Sequence, residues 1–293
     1  MLTIGNFDGV HRGHQALLAR LRAQADALGL PVCVMIFEPH PREFFNPAAA
    51  PARVASLRDK LAGLRACGVD RVIVEHFNAR FAALSAQQFI DDVVVGGLHA
   101  RWVMVGDDFR FGARRQGDFA LLQAAGKQQG FAVEALATVL ETGARISSSA
   151  VRAALQAGDL NSAATLLGHP YFISGHVIHG LKLGRTLGYP TLNFRIAHKR
   201  PALMGIFVVQ VHGINAAPVP GVASLGMRPT VDDSGRVLLE VHLLDVDQDL
   251  YGKLLRVEFL HKLRDEEKYD SLERLKAQIA ADEVAARAWF ATH

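Results

Sequence analysis

The sequence predicts two domains: a doubly wound α/β domain with a parallel sheet over residues 1–168, and an antiparallel β-barrel closed by a helix over residues 169–293. Three observations predict this architecture. In the first half, apolar strand-like runs alternate with amphipathic helix-like runs. From Tyr171 onward, short strand-like runs are separated by Gly, Pro and Asn turns, with no helical period between them. At 293 residues and 50% hydrophobic content, the chain can bury the cores of two ordinary domains.

Helices of the first half are predicted where apolar residues recur at helical spacing beside capping residues. They cover residues 14–28, 56–67 and 85–95, the second opening on Ser56 and the third on the capping-box pair Ser85 and Gln88. Residues 32–37, 71–74 and 102–105 are continuous apolar strands, as is typical of strands buried on both faces of a parallel sheet. Ligands of such folds bind outside the carboxyl ends of the strands, so motifs that follow a strand are candidate sites.

In the second half, strand-like segments at 207–211, 213–220, 237–246 and 254–259 predict the barrel. A terminal helix is predicted from the capping-box pair Asp270 and Glu273 and from an apolar stripe that includes Leu272 and Leu275. The turn-like run at 168–170 marks the predicted domain boundary.

Composition is typical of a cytoplasmic enzyme. There is no apolar run long enough for a membrane span and no basic leader, so no membrane association is expected. The net charge of +3 comes from interspersed residues, which argues against a nucleic-acid partner. Cys33 and Cys67 lie in apolar sequence, which predicts buried reduced thiols rather than a disulfide scaffold.

The most informative motif runs from Ile4 to His14, where a short strand breaks into glycine-rich turns before a helix. It places His11 and His14 where the phosphates of a ligand would sit, because a helix start presents unpaired N–H groups and glycines let the backbone approach an anion. With no nucleophilic Ser or Cys beside them, the chemistry predicted is in-line attack of one bound phosphate on another. The alternative is a polar turn whose histidines cap the helix.

Three further motifs follow strands or open a helix in the first half, at residues 37–41, 106–112 and 145–152. In the last, Ser148 and Ser149 can cap the helix, and Arg152 lies on the same face; the alternative is plain capping with a surface arginine. Asp108, Phe109 and Arg110 form either a ligand loop or an ordinary loop with packed aromatic residues. His40, between two prolines, is assigned only a supporting role.

In the second half, Thr191 and Asn193 sit at i and i+2 of an extended segment, so both side chains face the same way. A hydroxyl and an amide oxygen together suit a hard cation such as Mg²⁺, and Gly184 and Gly188 allow a loop to lie against nucleotide phosphates. The alternative is a proline-glycine turn with hydrogen-bonded polar residues.

Glu240 and His242 share one face of the segment 237–244, and Val237, Leu239, Val241 and Leu243 form an apolar stripe on the other. A glutamate in this position is either a solvated residue or the acceptor for a hydroxyl proton in phosphoryl transfer. His242 either orients Glu240 or faces solvent.

The stretch from Gly5 to His14 resembles the start of the nucleotidylyltransferase superfamily, and within it the adenylyltransferase half of the bacterial bifunctional riboflavin kinase/FAD synthetases. The other first-half motifs carry the same resemblance. The run at 184–193 is similar to the riboflavin kinase motif, so the likeness covers nearly all of the chain.

This resemblance implies two active sites that use ATP in series, one phosphorylating riboflavin to FMN and one adenylylating FMN to FAD. For the kinase it implies Glu240 as the base, phosphate binding by Gly184 and Gly188, and Mg²⁺-nucleotide binding by Thr191 and Asn193. For the adenylyltransferase it implies His11, His14 and Arg152 as catalytic residues, Asp108, Phe109 and Arg110 as flavin-binding residues, and phosphate binding by Gly5, Phe7, Gly13, Ser148 and Ser149.

Two other classes stay open. A nucleotidylyltransferase for a different phosphorylated substrate would leave the barrel unused, and a non-catalytic flavin-binding regulator would be marked by loss of Glu240, His14 or Arg152, all of which are present. Related chains usually carry more residues before Gly5, so the central strand is expected to be short. The sequence decides neither whether this weakens the adenylyltransferase nor whether the chain forms a homo-oligomer.

Overall fold

The structure, a computed structural model, describes residues 1–136, 140–141, 144–180, 188–196, 200–227, 237–246 and 248–293. The chain divides into two compact units. The first comprises Met1–Pro51 and Lys60–Ser147, and the second comprises Ala52–Asp59 and Ser148–His293. Residues 148–167, which lie before the predicted boundary, therefore pack in the second unit.

A five-stranded parallel sheet forms the centre of the first unit, which confirms the doubly wound α/β prediction. The strands lie in the order β3-β2-β1-β4-β5. Their bounds are β1 Leu2–Ile4, β2 Cys33–Glu38, β3 Arg71–His76, β4 Trp102–Gly106 and β5 Ala132–Leu136. As expected, β1 is short, and it pairs with both β2 and β4. The strand order reverses between β1 and β4, so the loops after these two strands border the crevice where such folds bind ligands.

Short helices and a π-helix connect the strands of the first unit. The α-helices are α1 Arg12–Leu28, α2 Pro41–Phe45, α3 Leu57–Ala66, α4 Ala79–Ala82, α5 Ala86–Gln88 and α6 Phe119–Gln129; the first three residues of α3 belong to the second unit. A two-stranded pair, β6 Leu140–Glu141 and β7 Ala144–Arg145, follows β5. Cys33 and Cys67 are free, as predicted, but only partly buried, and this burial raises the pKa of both thiols.

Two predicted helices differ from the structure. The first begins at Arg12 rather than residue 14, because His11 is extended and caps it. The Ser85–Gln88 capping box is confirmed, but α5 then passes into a π-helix, Phe89–Gly97, in place of an α-helix to residue 95. Gly96 permits this wider turn, because a Cβ there would lie 2.9 Å from the Asp91 carbonyl oxygen.

The second unit is built on a closed antiparallel barrel, as predicted, with the strand order β10-β11-β12-β9-β8-β13. Its strands are β8 Phe172–Ile178, β9 Thr191–Arg195, β10 Gly205–His212, β11 Val219–Met227, β12 Val237–Leu243 and β13 Leu254–Arg264. The predicted apolar stripe of β12 is confirmed, since Val237, Leu239, Val241 and Leu243 are all buried. The prediction of a strand over residues 213–220 is wrong. β11 begins only at Val219, because Gly213 turns the chain with a φ of +95°.

Helices complete the second unit. They are α7 Ser148–Gln156, α8 Leu160–Leu167 and α9 Leu272–Thr292. Val151, Leu155 and Leu167 join the barrel core. The predicted Asp270–Glu273 capping box is wrong, because Ser271 is the extended residue before α9 and its side chain accepts from the Arg274 backbone N–H. Within the described residues, no helix combines the length and apolar character needed to cross a membrane.

Candidate active sites

The loop between β1 and α1 holds two stacked imidazoles. His11 caps α1, and its Nδ1 accepts from the His14 backbone N–H at 3.4 Å. The two ring centroids are 3.7 Å apart, and the Phe7 ring lies 4.7 Å from the His14 ring. Phe7 and Val10 hold positive φ values of 47° and 41°, an uncommon conformation for residues other than glycine. The backbone is thus folded tightly around the histidine pair, at the start of a helix that can bind anions.

The surroundings of His14 disfavour its protonated form. Burial of its ring, followed by the positive fields of His11 and Lys60, holds the pKa of His14 well below its usual value. Its Nδ1 is buried and has no hydrogen-bond partner within the described residues. A bound polyphosphate would oppose these effects, since negative charge favours a protonated imidazole. The sequence analysis did not identify Lys60, because a single lysine in an amphipathic helix carries no motif.

Each of the three loop residues predicted to bind phosphate has a clear structural environment. The Gly5 N–H donates to the Met35 carbonyl at 3.1 Å, so it extends the ladder of the sheet. Phe7 is buried against His14. A Cβ at Gly13 would lie 3.2 Å from the His11 ring and 3.3 Å from the Ile146 carbonyl oxygen. Glycine at position 13 therefore allows close packing at the helix start, and phosphate binding by these residues stays a prediction.

A cleft of about 970 Å³ lies beside this loop in the first unit, over the carboxyl ends of the strands. Asp108, Phe109 and Arg110, the predicted flavin loop, line it together with Gly5 and Asn6. The Phe109 and Phe111 rings stack at 5.4 Å, and Arg110 pairs with Asp118 at 3.2 Å. Further aromatic side chains in the lining are Phe37, Phe45, Phe77, Phe81 and Phe89. An aromatic floor of this kind suits a flat conjugated ring.

The loop that follows Phe111 holds two exposed arginines at the cleft, a feature the sequence analysis missed. Phe111 and Gly117 exchange backbone hydrogen bonds of 3.1 and 2.9 Å, which close the loop. Arg114 and Arg115 have positive φ values of 55° and 58°. Gly112 is required, because a Cβ there would lie 2.6 Å from the Ala86 nitrogen. These contacts fix the loop that carries the arginine pair.

His40 stabilises the start of a short helix, in keeping with the supporting role assigned to it from the sequence. Its Nδ1 accepts from the Arg42 N–H at 3.1 Å, and its own N–H donates to Glu43 at 3.1 Å. These two bonds form the capping box of α2, which carries Phe45. His40 also lines the cleft, so the cap holds one wall of it.

The serine-arginine motif lies in the second unit. Ser148 is the first residue of α7, and Ser149 is exposed. The Arg152 Nε donates to the Ala52 carbonyl at 2.7 Å, which fixes the guanidinium to the segment 52–59 of the same unit. The structure therefore assigns the motif and the histidine pair to different units, and phosphate binding by the motif stays a prediction.

In the barrel, strand register brings the predicted kinase residues together. Glu240 of β12 lies directly opposite Asn193 of β9, and His242 lies opposite Thr191. Cross-strand partners point to the same face of a sheet and lie about 4.5–5.5 Å apart at Cβ. All four side chains therefore lie on the same face of the barrel wall.

Asn193 and Thr191 lie side by side on β9, as predicted from their spacing. The Asn193 Nδ2 donates to the Thr191 carbonyl at 3.2 Å and lies 3.5 Å from its hydroxyl. Asn193 is only 4% exposed, and its Oδ1 is buried with no hydrogen-bond partner within the described residues. An unpartnered buried amide oxygen suits a hard cation, although it is the amide nitrogen that faces the Thr191 hydroxyl. The described residues contain no cluster of three His, Cys, Asp or Glu side chains that could hold a metal ion without substrate oxygens.

His242 orients the turn before Thr191. Its Nδ1 lies 2.9 Å from the Pro190 carbonyl oxygen, which can only accept, so this nitrogen carries the proton. Gly188 has a φ of +90°, which explains the glycine there, whereas Gly184 lies outside the described residues. A pocket of about 280 Å³ lined by Thr191, Leu250 and Tyr251 adjoins the same turn.

Comparison with known proteins finds relatives for both halves of the chain. Residues 1–150 match the family described as FAD synthetase, and residues 167–290 match riboflavin kinase. Three proteins named bifunctional riboflavin kinase/FMN adenylyltransferase are similar to the chain along their length. The relative from Escherichia coli strain K12 is 52% identical over 290 residues, covering 99% of this chain and 92% of the relative. That from Pseudomonas fluorescens is 54% identical over 286 residues, covering 98% and 91%. That from Haemophilus influenzae is 48% identical over 289 residues, covering 99% and 94%.

One solved structure is also similar over the whole chain. It is described as a macrolide-efflux protein from Streptococcus pneumoniae and is 31% identical to this chain, with a TM-score of 0.78. The match covers 98% of this chain and 94% of that one.

Proposed function

The chain belongs to the family of bifunctional riboflavin kinase/FMN adenylyltransferases, and from that premise we propose that each of its two units carries one of the two reactions. It is an enzyme that phosphorylates riboflavin with ATP to FMN and adenylylates FMN with ATP to FAD and pyrophosphate. We assign the kinase to the second unit, which contains the barrel, and the adenylyltransferase to the first unit, which contains the parallel sheet.

One observation carries the kinase assignment: the register that aligns Glu240 with Asn193 and His242 with Thr191. Glu240 accepts the proton of the riboflavin hydroxyl as the γ-phosphoryl is transferred. Thr191 and Asn193 hold the Mg²⁺-nucleotide, and the orphaned Asn193 Oδ1 supports this role. When bound, Mg²⁺ neutralises charge on the β- and γ-phosphates. His242 keeps Thr191 in place through its bond to Pro190.

For the adenylyltransferase, the histidine pair at the start of α1 binds the phosphates of ATP. His11 has its Nδ1 occupied by the His14 backbone N–H, so its Nε2 carries the proton and can donate to a phosphate oxygen. His14 donates beside it as charge grows on the transferring group. The FMN phosphate attacks the α-phosphorus, and pyrophosphate leaves.

We assign the aromatic cleft of the first unit to FMN. Its volume of about 970 Å³ falls at the upper end of the range for small-molecule sites. The rings of Phe109 and Phe111 offer stacked faces for the isoalloxazine, and Asp108 offers a hydrogen-bond acceptor. The cleft is lined by Gly5 and Asn6, which belong to the same loop as Phe7, and the Phe7 ring lies 4.7 Å from the His14 ring.

The division of labour can be tested in the intact chain with two variants. Thr191→Val removes a proposed kinase ligand, and His14→Ala removes a proposed phosphate donor. With riboflavin, ATP and Mg²⁺, each variant alone should make little FAD, because the first lacks FMN and the second cannot use it. A mixture of the two should make FAD, since FMN released by His14→Ala can be used by Thr191→Val.

Chromatography that separates riboflavin, FMN and FAD measures the outcome. Failure of the mixture, while the wild type makes FAD and both variants keep the wild-type melting temperature, would refute the proposal that the two reactions occur at independent sites. FMN production by Thr191→Val at the wild-type rate would remove that residue from the kinase site.

A further inference from the structure

One arginine of the terminal helix binds the loop that follows β12. Arg287 of α9 donates to both carboxylate oxygens of Asp245, with its Nη1 and Nη2 each 2.8 Å from an oxygen. Its Nε donates to Glu283, one turn earlier in the helix, at 2.9 Å. The bonds to Arg287 hold the pKa of Asp245 below its usual value. Two parallel hydrogen bonds between a guanidinium and a carboxylate fix the orientation of the partner as well as its distance.

Asp245 lies where the chain leaves the barrel. β12 ends at Leu243, and the Leu244 N–H donates to the Pro220 carbonyl of β11 at 2.9 Å. Asp245 then adopts a positive φ of 60°, a conformation that aspartate tolerates better than most residues. The direction of the loop is therefore set at one residue, and Arg287 binds the side chain of that residue.

This loop forms one wall of the pocket of about 280 Å³ that adjoins the proposed kinase residues. Val246 directly follows Asp245 and lines the pocket, and so does Leu243 on its other side. Thr191, which we assign to the Mg²⁺-nucleotide, lines the same pocket. A shift of the chain at Asp245 would therefore move a pocket wall relative to a bound nucleotide.

The other end of the loop is fixed by different contacts. The Gly252 N–H donates to the Val177 carbonyl at 2.9 Å, and the Val177 N–H donates to the Lys253 carbonyl at 3.0 Å. The Tyr251 ring, which lines the pocket, lies 3.8 Å from the His179 ring. Backbone pairing thus holds the loop near β13. Near β12, the side chain of Arg287 makes a contact that a substitution can remove.

On the basis of the proposed kinase site, we propose that Arg287 is a positioning residue for ATP in the phosphorylation of riboflavin. It acts through Asp245, whose position determines where the pocket wall lies. The role belongs to the pair, rather than to the charge of either residue alone. Exposed ion pairs contribute little to folding stability, so the effect of losing this pair is expected in nucleotide binding.

The test measures FMN formation by Arg287→Gln and Asp245→Asn in the full-length protein, with riboflavin, ATP and Mg²⁺. Each change removes a charge and keeps a polar side chain, and asparagine tolerates the positive φ at position 245. Each should raise the KM for ATP by about three- to fivefold, the upper part of the range for an exposed ion pair. The kcat should stay within about twofold, because Glu240 and the metal ligands are unchanged.

The double variant tests whether the two residues act as a pair. Its KM for ATP should be no higher than that of the more impaired single variant, because both substitutions remove the same interaction. Glu283→Gln is the matched control, since it removes the other carboxylate bound to Arg287 and leaves the two bonds to Asp245. FAD formation from supplied FMN and the melting temperature should match the wild type in every variant.

Four outcomes would overturn the inference. They are a rise in the KM for ATP of less than threefold in Arg287→Gln, an equal rise in Glu283→Gln, a double variant whose effect is the product of the two single effects, and a rise matched by an equal loss of FAD formation from FMN.

Thr191→Val distinguishes this failure from failure of the proposed function. If Thr191→Val makes FMN at the wild-type rate, the pocket is not the nucleotide site and the role of Arg287 falls with it. If Thr191→Val is impaired and Arg287→Gln is normal, only the inference about Arg287 is wrong.

Discussion

Replacing Glu240 by glutamine should stop the kinase without disturbing the barrel. Glutamine has nearly the same shape and can still form hydrogen bonds at its place opposite Asn193 on the neighbouring strand. It lacks a basic oxygen, so it cannot take the hydroxyl proton during phosphoryl transfer. Glu240 is only partly buried, on the face of β12 opposite the apolar stripe. The substitution should therefore change stability by less than about 0.5 kcal/mol, as is usual for surface positions.

The expected loss in turnover is about 10²- to 10⁴-fold, the usual contribution of a general base. This corresponds to about 3–5 kcal/mol in the activation barrier. The KM for riboflavin should stay within about threefold, because binding does not require the basic oxygen. A loss confined to turnover is what distinguishes a base from a residue that holds substrate.

The assay supplies riboflavin in one reaction and FMN in another, with ATP and Mg²⁺ in both, and quantifies FMN and FAD separately. Glu240→Gln should make almost no FMN in the first and normal FAD in the second. Ser224→Ala is the matched control, since Ser224 is the other cross-strand neighbour of Glu240 and its hydroxyl donates to Glu266 at 3.2 Å. Near-normal FMN formation by Glu240→Gln would refute the role of Glu240 and leave the kinase to substrate positioning.

Three further predictions concern the metal, the histidine pair and the cleft. Asn193→Leu should raise the Mg²⁺ concentration needed for half-maximal FMN formation by about tenfold or more, because it removes one oxygen ligand; an unchanged Mg²⁺ dependence would exclude this ligand. The pKa of His14 in the fold lies below its ordinary value of 6.5, so the unfolded chain binds the proton first as the pH falls. The stability that neutral His14 contributes is present above about pH 6.5 and is lost below it. Between pH 7 and pH 5, the melting temperature of His14→Gln should therefore fall less than that of the wild type. An equal fall in both proteins would contradict the burial of His14. Gly112→Ala should destabilise the first unit by more than about 1 kcal/mol, since it adds a side chain at positive φ and against the Ala86 backbone. Denaturant unfolding measures this loss, and an unchanged midpoint would show that the loop shifts to accept the side chain.

Much of the fold could be predicted from local sequence patterns, because most helices and strands show the apolar spacing and capping residues typical of their type. The apolar runs that became β2 and β4 have no polar face, and only a sheet covered on both sides accommodates them. The prediction that residues 71–74 are buried on both faces is wrong, because β3 lies at the edge of the sheet and Val74 is 40% exposed. The alternation in β12 likewise separates the core from the surface. Capping was predictable where one candidate stood alone, as at Ser85. The capping prediction was wrong at α9, where both Asp270 and Ser271 could cap the helix. Ser271 is the cap, because its backbone is extended there.

The sequence alone identified only part of each candidate site. Histidine spacing and the Thr191–Asn193 pair are local patterns, so they could be found. The alignment of Glu240 with Asn193 depends on strand register, which no spacing along the chain reveals. Lys60 and the arginine pair after Gly112 acquire meaning only through tertiary packing. The π-helix depends on the room that Gly96 leaves for a carbonyl, which is a property of the folded backbone.

The bond from the His14 backbone N–H to the His11 ring gives the two histidines unequal freedom to change during evolution. His14 supports the helix start through its backbone N–H, so replacing its side chain keeps that bond in any descendant that obtains FAD elsewhere. His11 supports the helix with its ring, and its loss would also remove a cap, which typically costs about 1 kcal/mol. In lineages that abandon FAD synthesis, we expect the second histidine of the pair to be replaced before the first.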